Sequence, residues 1–454
     1  MQTFDLIVIG SGSGLDVANA AAEHGLKVAI IEQDRMGGTC LNKGCIPSKL
    51  LLHSADVIET IKSSYQFGIY VHEFSVDYAE IVDRVNGIID AESAQIRNAF
   101  EQMGNPKLFP SHCKFTGPKT VQVGDDTITA DKILIACGAR PLIPKIEGLE
   151  GSGYMTSDEA LRLKSQPKIL TILGGGYIAC EMAHFFGALG TKINIVQRRD
   201  LLLPNEDEGI SEKFTEAFSK KYNVLTGLQP FQVRKENDLF HVLASDPAGK
   251  SVDLISDHLL VATGRTPNTD TLDLQKTGVK VNEKGHVITD EFLETSVKGI
   301  FALGDAVGRY PFKHSANHEA QYAYANLVHD SRLAVDYAAM PHAVFSSPQV
   351  AGVGFTEQDL RKRGVAYLKS VYPYTGAAMG KAIENNEGFV KFLVDKNTRK
   401  ILGCHILGTD ASILIHEVLV AMKSADGTID SLTKTIFIHP SLSEVVARAA
   451  YAVQ

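Results

Sequence analysis

The sequence predicts an α/β fold: two Rossmann-like dinucleotide-binding domains followed by a C-terminal α+β domain. Three observations carry this. A glycine-bearing unit at residues 5–32 recurs at residues 169–198. Each unit has a later echo, at 133–141 and 259–267, in which an apolar strand ends in Ala-x-Gly with an Arg and a Pro just beyond. From about residue 339 the texture changes to alternating strands with no glycine-rich turn.

In "DLIVIGSGSGLDVANAAAEHGLKVAIIE" an apolar strand enters Gly10, Gly12 and Gly14, an alanine-rich helix follows, Gly25 stops it, and "VAIIE" is the second strand. "ILTILGGGYIACEMAHFFGALGTKINIVQR" repeats the plan with Gly174, Gly176 and Ala179. Such glycines permit a tight turn and let the backbone approach a pyrophosphate, which then sits on the helix N-terminus. One such motif is weak evidence; two, each in a βαβ-length unit, are much stronger. Glu32 stands 22 residues after Gly10, where a carboxylate accepts both hydroxyls of an adenosine ribose. The second unit carries Gln197 at the matching place, followed by Arg198 and Arg199, a pair suited to clamp a 2′-phosphate; read plainly, "QRRD" is a solvated turn. In the last third, "HAVFSSPQVAGVG" and "GFVKFLVDKNTRKILGCHILG" alternate like antiparallel strands, and "SILIHEVLVAMKSA" has helical spacing. The expected division is 1–144 for the first nucleotide domain, 145–268 for the second, 269–338 returning to the first, and 339–454 for the end domain.

The 454 residues suggest about three domains. The net charge of −8 and the absence of a basic tract argue against nucleic acid and anionic membrane as partners. No run of about 18 apolar residues suggests a membrane span, and the N-terminus reads as a strand and not as a signal peptide. Six cysteines are too few for a disulfide scaffold, so a reducing cytoplasm is expected.

Two of the six lie in "GGTCLNKGCIPSK", at Cys40 and Cys45. Zinc sites prefer closer pairs and four ligands, and inert buried thiols are a further alternative. A disulfide is the better reading. Five helical steps rise about 7.5 Å, beyond the comfortable Cα separation of roughly 4.4–6.8 Å, so the turn must be distorted, which Gly44 allows. So short a ring stabilises little and reduces easily, which suits redox turnover. Lys43 and a helix N-terminus are expected to favour the thiolate. An electron donor is then required, and two dinucleotide sites supply one: a flavin dinucleotide in one, a nicotinamide in the other.

Together these residues resemble the FAD-dependent pyridine nucleotide–disulfide oxidoreductases, which include dihydrolipoamide dehydrogenase, glutathione reductase, mycothione reductase and mercuric reductase. The resemblance spans essentially the whole chain, most specifically at "GGTCLNKGCIPSK", where Gly38 and Thr39 join the cofactor-binding set, as do Gly138 and Gly264 in the two echoes. "GIFALGDAVG" (299–308) looks like the family's second FAD motif, with Asp305 near the ribityl chain. "FIHPSLSEVV" (437–446) looks like its C-terminal signature. The resemblance implies that Cys40 is the interchange thiol, that Cys45 is the charge-transfer thiol against the flavin, and that Lys49 approaches the flavin N5 region paired with Glu181. It implies that His439, oriented by Glu444, is the acid–base group serving the partner subunit. It also implies that the end domain is a dimerisation domain, that the protein is a homodimer, and that FAD and NAD(P)H are the cofactors. Independently, an imidazole suits thiol–disulfide exchange because it both takes and gives a proton near neutrality.

The sequence departs from the family pattern in places. Leu15 ends the first glycine motif, so a small shift in helix–strand packing is expected. Cys137 replaces the usual Thr of the first echo and is expected in the core. Gln197 replaces the acid usual in NAD-dependent dihydrolipoamide dehydrogenases, while Pro204 stands where NADPH-dependent relatives have a second Arg; the balance leans slightly to NADPH. The first helix carries Asn19-Ala20-Ala21-Ala22 and not a basic pair, which disfavours glutathione disulfide. Nothing after Cys404 is cysteine, unlike mercuric reductases. "CLNKGCIPSK" followed by Leu50-Leu51-Leu52 looks most like the lipoamide enzymes, whereas "IHPSLSEVV" and "QRRDLLLP" look closer to mycothione-type reductases. The first expectation is therefore a dihydrolipoamide dehydrogenase-like enzyme acting on a lipoyl-domain or small-molecule dithiol. The alternative is an NADPH-dependent reductase of a small thiol disulfide, and more remotely a flavin oxidase or peroxide reductase.

Overall fold

The computed structural model describes residues 1–424 and 426–453. Strand β1 (Gln2–Ile9) is followed by helix α1 (Gly14–Glu23) and strand β2 (Val28–Ile31). β1 pairs in parallel with β2 and with strand Asp126–Ile135, placing Ile9 level with both Ile31 and Ile135. All the strand ends therefore meet at one sheet edge, where Gly10 begins the nucleotide turn. The chain returns much later to add strand Ile300–Ala302 beside Asp126–Ile135. Both faces of this sheet are covered: Leu6 and Val8 pack with Val17 and Ala18 of α1 on one side, Ile7 packs with Leu272 and Val287 on the other, and all three strand residues are fully buried.

The second parallel sheet has the order 223–225, 192–196, 169–173, 258–261. A three-stranded antiparallel sheet, 229–236, 239–245 and 251–256, flanks it. The two Ala-x-Gly echoes have a role that their similarity did not disclose. Ala139–Pro141 pairs antiparallel with Arg265–Pro267, forming the ribbon at which the chain leaves one nucleotide unit and returns from the other. The last region is a five-stranded antiparallel sheet, order 341–344, 350–354, 401–407, 389–395, 367–373, packed by helices Ala411–Lys423 and Ser443–Tyr451. The α/β class with an α+β end domain is thus observed. Among the described residues, no helix is long and apolar enough to cross a membrane.

The close approach of helix to strand falls at Gly14, where a Cβ would lie 2.8 Å from Val8 Cγ1 and 3.0 Å from Ala136 Cβ. Leu15 packs on the periphery of the neighbouring apolar cluster.

A buried ion cluster ties the second nucleotide unit to the end domain. Lys391 Nζ lies 2.7 Å from Asp207 Oδ1 and 2.5 Å from Glu357 Oε2, and all three residues are buried. Burial pushes both carboxylates up. His405 and Lys391 nevertheless hold Asp207 below its ordinary range, and hydrogen bonds from Lys391, Tyr367, Lys369 and Arg361 hold Glu357 far below. Lys391→Met is expected to destabilise the fold by about 3–5 kcal/mol at pH 7, because it strands two buried carboxylates. Depressed carboxylates lend stability above their unfolded values of about 4 and lose it as pH falls through the folded ones. The deficit of the variant, read as a urea-midpoint difference, therefore narrows in acid; a constant deficit contradicts the assignment.

Candidate active site

Helix α2 (Gly38–Lys43) carries Thr39 and Cys40; helix α3 (Cys45–Ser63) begins at Cys45. The expected distortion falls at Gly44, with φ −145° and ψ −118°. Glycine is required there by proximity: a Cβ would sit 2.9 Å from Thr39 O and 3.3 Å from Cys40 Cα. The break folds the two helices together and sets the thiols close enough for each to shift the other's ionisation, Cys40 upward and Cys45 downward. Pro47 is tolerated in the first turn of α3, where its missing N–H has no intrahelical partner.

The two thiols are electrostatically unlike. The hydrogen bond from Cys40 lowers Cys45 to about 7 against burial and against Glu181, and Lys49 adds to the effect. The helix N-terminus favours the same thiolate. Giving that hydrogen bond, with burial added, raises Cys40 well above an ordinary thiol. The expected help from Lys43 is corrected. Its ammonium turns away to Asp34 at 2.6 Å, with Asp158 at 3.8 Å. Lys49, one helical turn beyond Cys45, is the cation that serves it.

Lys49 Nζ donates to both oxygens of Glu181, at 2.8 and 2.9 Å. Glu181 is buried on the helix Tyr177–Ala188 of the second nucleotide unit. The pair therefore bridges the two units beside the cysteines. The end domain completes it: Phe345 N–H donates to Glu181 Oε1 at 3.1 Å, and the Lys49 ammonium lies 4.4 Å from the Phe345 ring centroid. No sequence signal marks Phe345, which stands 164 residues from Glu181. A second group was likewise invisible: Glu206 binds the Tyr177 hydroxyl and accepts from His342 Nε2 at 2.7 Å.

Both nucleotide turns fit a dinucleotide, and in the same way. Gly10 (φ +104°) and Gly174 (φ +114°) have left-handed backbones, and a Cβ on either would strike the carbonyl oxygen of Ala136 or Ala262. Over Gly12 and Gly176 a Cβ would meet nothing within 4 Å, leaving an open cradle at each helix start for a pyrophosphate. Glu32 accepts from Ser11 N at 3.0 Å and Ser11 Oγ at 2.7 Å, which fixes its carboxylate at the end of β2 beside the first glycine turn. Gly38 abuts the same turn, a Cβ there falling 2.7 Å from Gly12 Cα. Gly138 and Gly264, with φ +66° and +130°, follow the strands Asp126–Ile135 and His258–Val261. Asp305 sits on the turn Gly304–Ala306; burial raises it, while Arg265 Nε stands 3.7 Å away. Gln197 is buried against Gly175, whereas Arg198 and Arg199 are exposed and, among the described residues, make no side-chain ion pair or hydrogen bond. Cys137 is half-buried against the first sheet's core, its thiol pushed up to about 12 by burial.

His439 stands apart from these groups. Its Nδ1 lies 3.0 and 3.1 Å from the two oxygens of Glu444, and the side chain is 69% exposed. A carboxylate only accepts, so Nδ1 carries the proton and Nε2 is left as the acceptor. The hydrogen bond from His439 holds Glu444 below its ordinary range. Within one chain, among the described residues, His439 makes no hydrogen bond to either cysteine.

The family model for pyridine nucleotide-disulphide oxidoreductase matches residues 4–321, and that for the dimerisation domain of the same family matches residues 340–450. The chain is 36% identical to mycothione reductase of Mycobacterium tuberculosis over 99% of both chains. It is 32% identical to dihydrolipoyl dehydrogenase of Bacillus subtilis, over 99% of this chain and 98% of that one. Among solved structures it superposes on the HOCl-induced flavoprotein disulfide reductase RclA of Escherichia coli, in its Cu(II) complex, with a TM-score of 0.89, 28% identity and full coverage of both chains.

Proposed function

This chain belongs to the pyridine nucleotide-disulphide oxidoreductases, flavoprotein enzymes that use FAD and NAD(P)H, and we propose that it acts as an NADPH-dependent reductase of a low-molecular-weight thiol disulfide. The observation that carries the proposal is the cysteine pair folded across Gly44, with a Cys45 thiolate beside the Lys49–Glu181 bridge between the two nucleotide turns. When bound, FAD supplies the two-electron relay between the nicotinamide hydride and this pair. Glu32, Gly12, Gly38 and Asp305 would hold it, and Gly174, Gly176 and Gln197 would hold the nicotinamide dinucleotide.

The chain's own groups perform the exchange. His439 of the partner subunit takes the Cys40 proton. The Cys40 sulfur attacks one sulfur of the substrate disulfide, forming a mixed disulfide and expelling the first thiolate, which takes the proton from the imidazolium. Cys45 thiolate then attacks Cys40, restoring the Cys40–Cys45 disulfide and releasing the second thiolate, which is protonated from solution. Overall, NADPH, a proton and one disulfide give NADP⁺ and two thiols. The raised Cys40 is why a base is needed, and the low Cys45 is why the second attack needs none.

Two features favour NADPH and a small disulfide. Arg198 and Arg199 project free at the end of the strand that positions the adenosine ribose. The leucine run after the motif, which pointed to lipoamide, is core: Leu51 and Leu52 are buried and Leu50 packs against the same cluster. The motif "CLNKGCIPSK" itself favours the second reading, oxidation of a dihydrolipoyl group with NAD. A matrix of NADH and NADPH against lipoamide, mycothiol disulfide and other small disulfides separates them, since kcat/KM is largest for the true pair; highest turnover with NAD and dihydrolipoamide overturns the first reading. Replacing Arg198 and Arg199 together by Ala is expected to raise KM for NADPH by about 10- to 100-fold, the weight of lost charge-assisted phosphate contacts. NADH kinetics are expected to hold; an equal change with both coenzymes refutes the 2′-phosphate role.

The working unit is a homodimer. Ile436 and Ile438 flank the His439 loop at 97% and 80% exposure, and Ile413 and Val420 extend an apolar face over the matched dimerisation domain. The reducing cytoplasm suits this chemistry, with Cys113, Cys180 and Cys404 left as buried free thiols.

A further inference from the structure

We propose that Phe345, on the end domain, is a positioning residue for Lys49, and that it thereby sets how readily Cys45 ionises and accepts electrons. The inference rests on the reading of Cys45 and Lys49 above and extends it to a residue outside both nucleotide-binding units.

Lys49 has a long, flexible side chain, about a third exposed. A lysine so placed loses its geometry unless something other than one carboxylate confines it. Glu181 holds the ammonium on one side at 2.8 and 2.9 Å. The Phe345 ring closes another side, at 4.4 Å from centroid to Nζ. Such a contact is directional, because the ring quadrupole attracts a cation over its face. The same residue's backbone N–H occupies Glu181 Oε1 at 3.1 Å, which fixes the carboxylate as well. One residue thus confines both members of the pair.

Its backbone is held firmly. Phe345 follows strand Pro341–Val344, which pairs in register with Val350–Val353, and Val344 is fully buried. His342 of the same strand reaches Glu206, the partner of Tyr177, one helical turn before Glu181. The strand therefore grips the first turns of the second nucleotide helix at two points, Tyr177 and Glu181. What the ring confines matters to Cys45, whose ionisable neighbours are Cys40 on α2, Lys49 on α3 and Glu181 on the nucleotide helix. Lys49 favours the thiolate and Glu181 opposes it. The net field depends on where the ammonium stands between them.

The test uses the FAD-loaded enzyme in a Cys40→Ala background, which removes the Cys40 hydrogen bond and leaves Lys49 as the cation acting on Cys45. The long-wavelength absorbance of a thiolate against oxidised flavin is titrated against pH. Phe345→Leu is expected to move the midpoint upward by about half a unit or more, the scale of a partly desolvated cation–π contact. Phe345→Tyr, which keeps the ring, is expected to superimpose on its parent. With Cys40 present, Phe345→Leu is expected to slow flavin reduction by NAD(P)H about three- to tenfold, with coenzyme KM unchanged. Phe345→Met, close in volume but without a ring, replaces the leucine variant if that one folds poorly and is expected to shift the midpoint the same way. An unmoved midpoint in the ring-less variant overturns the proposal, as does an equal shift with tyrosine. If the Cys40→Ala parent shows no such absorbance at any pH, the reading of Cys45 itself has failed, an outcome distinct from failure of the Phe345 inference.

Discussion

Cys45→Ser is expected to lower disulfide turnover by about 10⁴-fold or more, the scale seen when a catalytic nucleophile is removed. Serine fits the start of α3, so the fold should survive. Its hydroxyl does not ionise near neutrality, so neither the acceptance of electrons nor the second sulfur attack can occur. Cys40→Ser is expected to abolish disulfide turnover equally, but the two variants differ in colour. The Cys40 variant keeps a thiolate at position 45 and hence a long-wavelength absorbance; the Cys45 variant loses it. The asymmetry has a physical source in this structure: the thiol at the helix N-terminus, facing Lys49 and accepting from its neighbour, is brought down to about 7, while the donor is raised. An absorbance that persists in Cys45→Ser and vanishes in Cys40→Ser reverses the two roles.

His439→Ala is expected to slow the disulfide half-reaction by about 10²–10⁴-fold, the usual worth of a positioned acid–base group. The half-reaction from NAD(P)H to flavin is expected to proceed at the parent rate, measured by stopped flow under anaerobic conditions. Glu444→Gln removes the charge that opposes the imidazolium but keeps an acceptor for Nδ1–H, so a smaller loss, roughly tenfold, is expected. The hydrogen bond from His439 holds the Glu444 carboxyl below its ordinary range, so it is ionised wherever an imidazole titrates. In the proposed shared site the histidine acts on the partner's cysteines, so mixing Cys40→Ser and His439→Ala subunits should restore turnover in the heterodimer, in which one of the two sites contains both groups. If mixed subunits stay inactive, or both half-reactions slow alike, the shared site is refuted.

The sequence by itself was informative wherever the chemistry is local. Gly10 and Gly174 are legible because a left-handed turn pressed against a neighbouring carbonyl admits no side chain. The cysteine pair is legible because its spacing and Gly44 encode a turn that a regular helix cannot make. His439 and Glu444 lie five residues apart, close enough for one loop and one helix start to bring them together.

What the tertiary structure alone decided lies across long separations. The direction of Lys43 differs from the sequence expectation because Asp34, nine residues before it, and Asp158, brought in from the second nucleotide unit, take its ammonium from the thiols. The pairing of the two Ala-x-Gly echoes, the Lys391–Asp207 contact and the Phe345–Glu181 contact each join segments 124 or more residues apart. Sequence periodicity reports which face of an element is apolar; it carries no record of which distant element covers that face. A buried charge or a confined ammonium takes its energy from whatever surrounds it in three dimensions, and that enclosure exists only once all the parts have packed together.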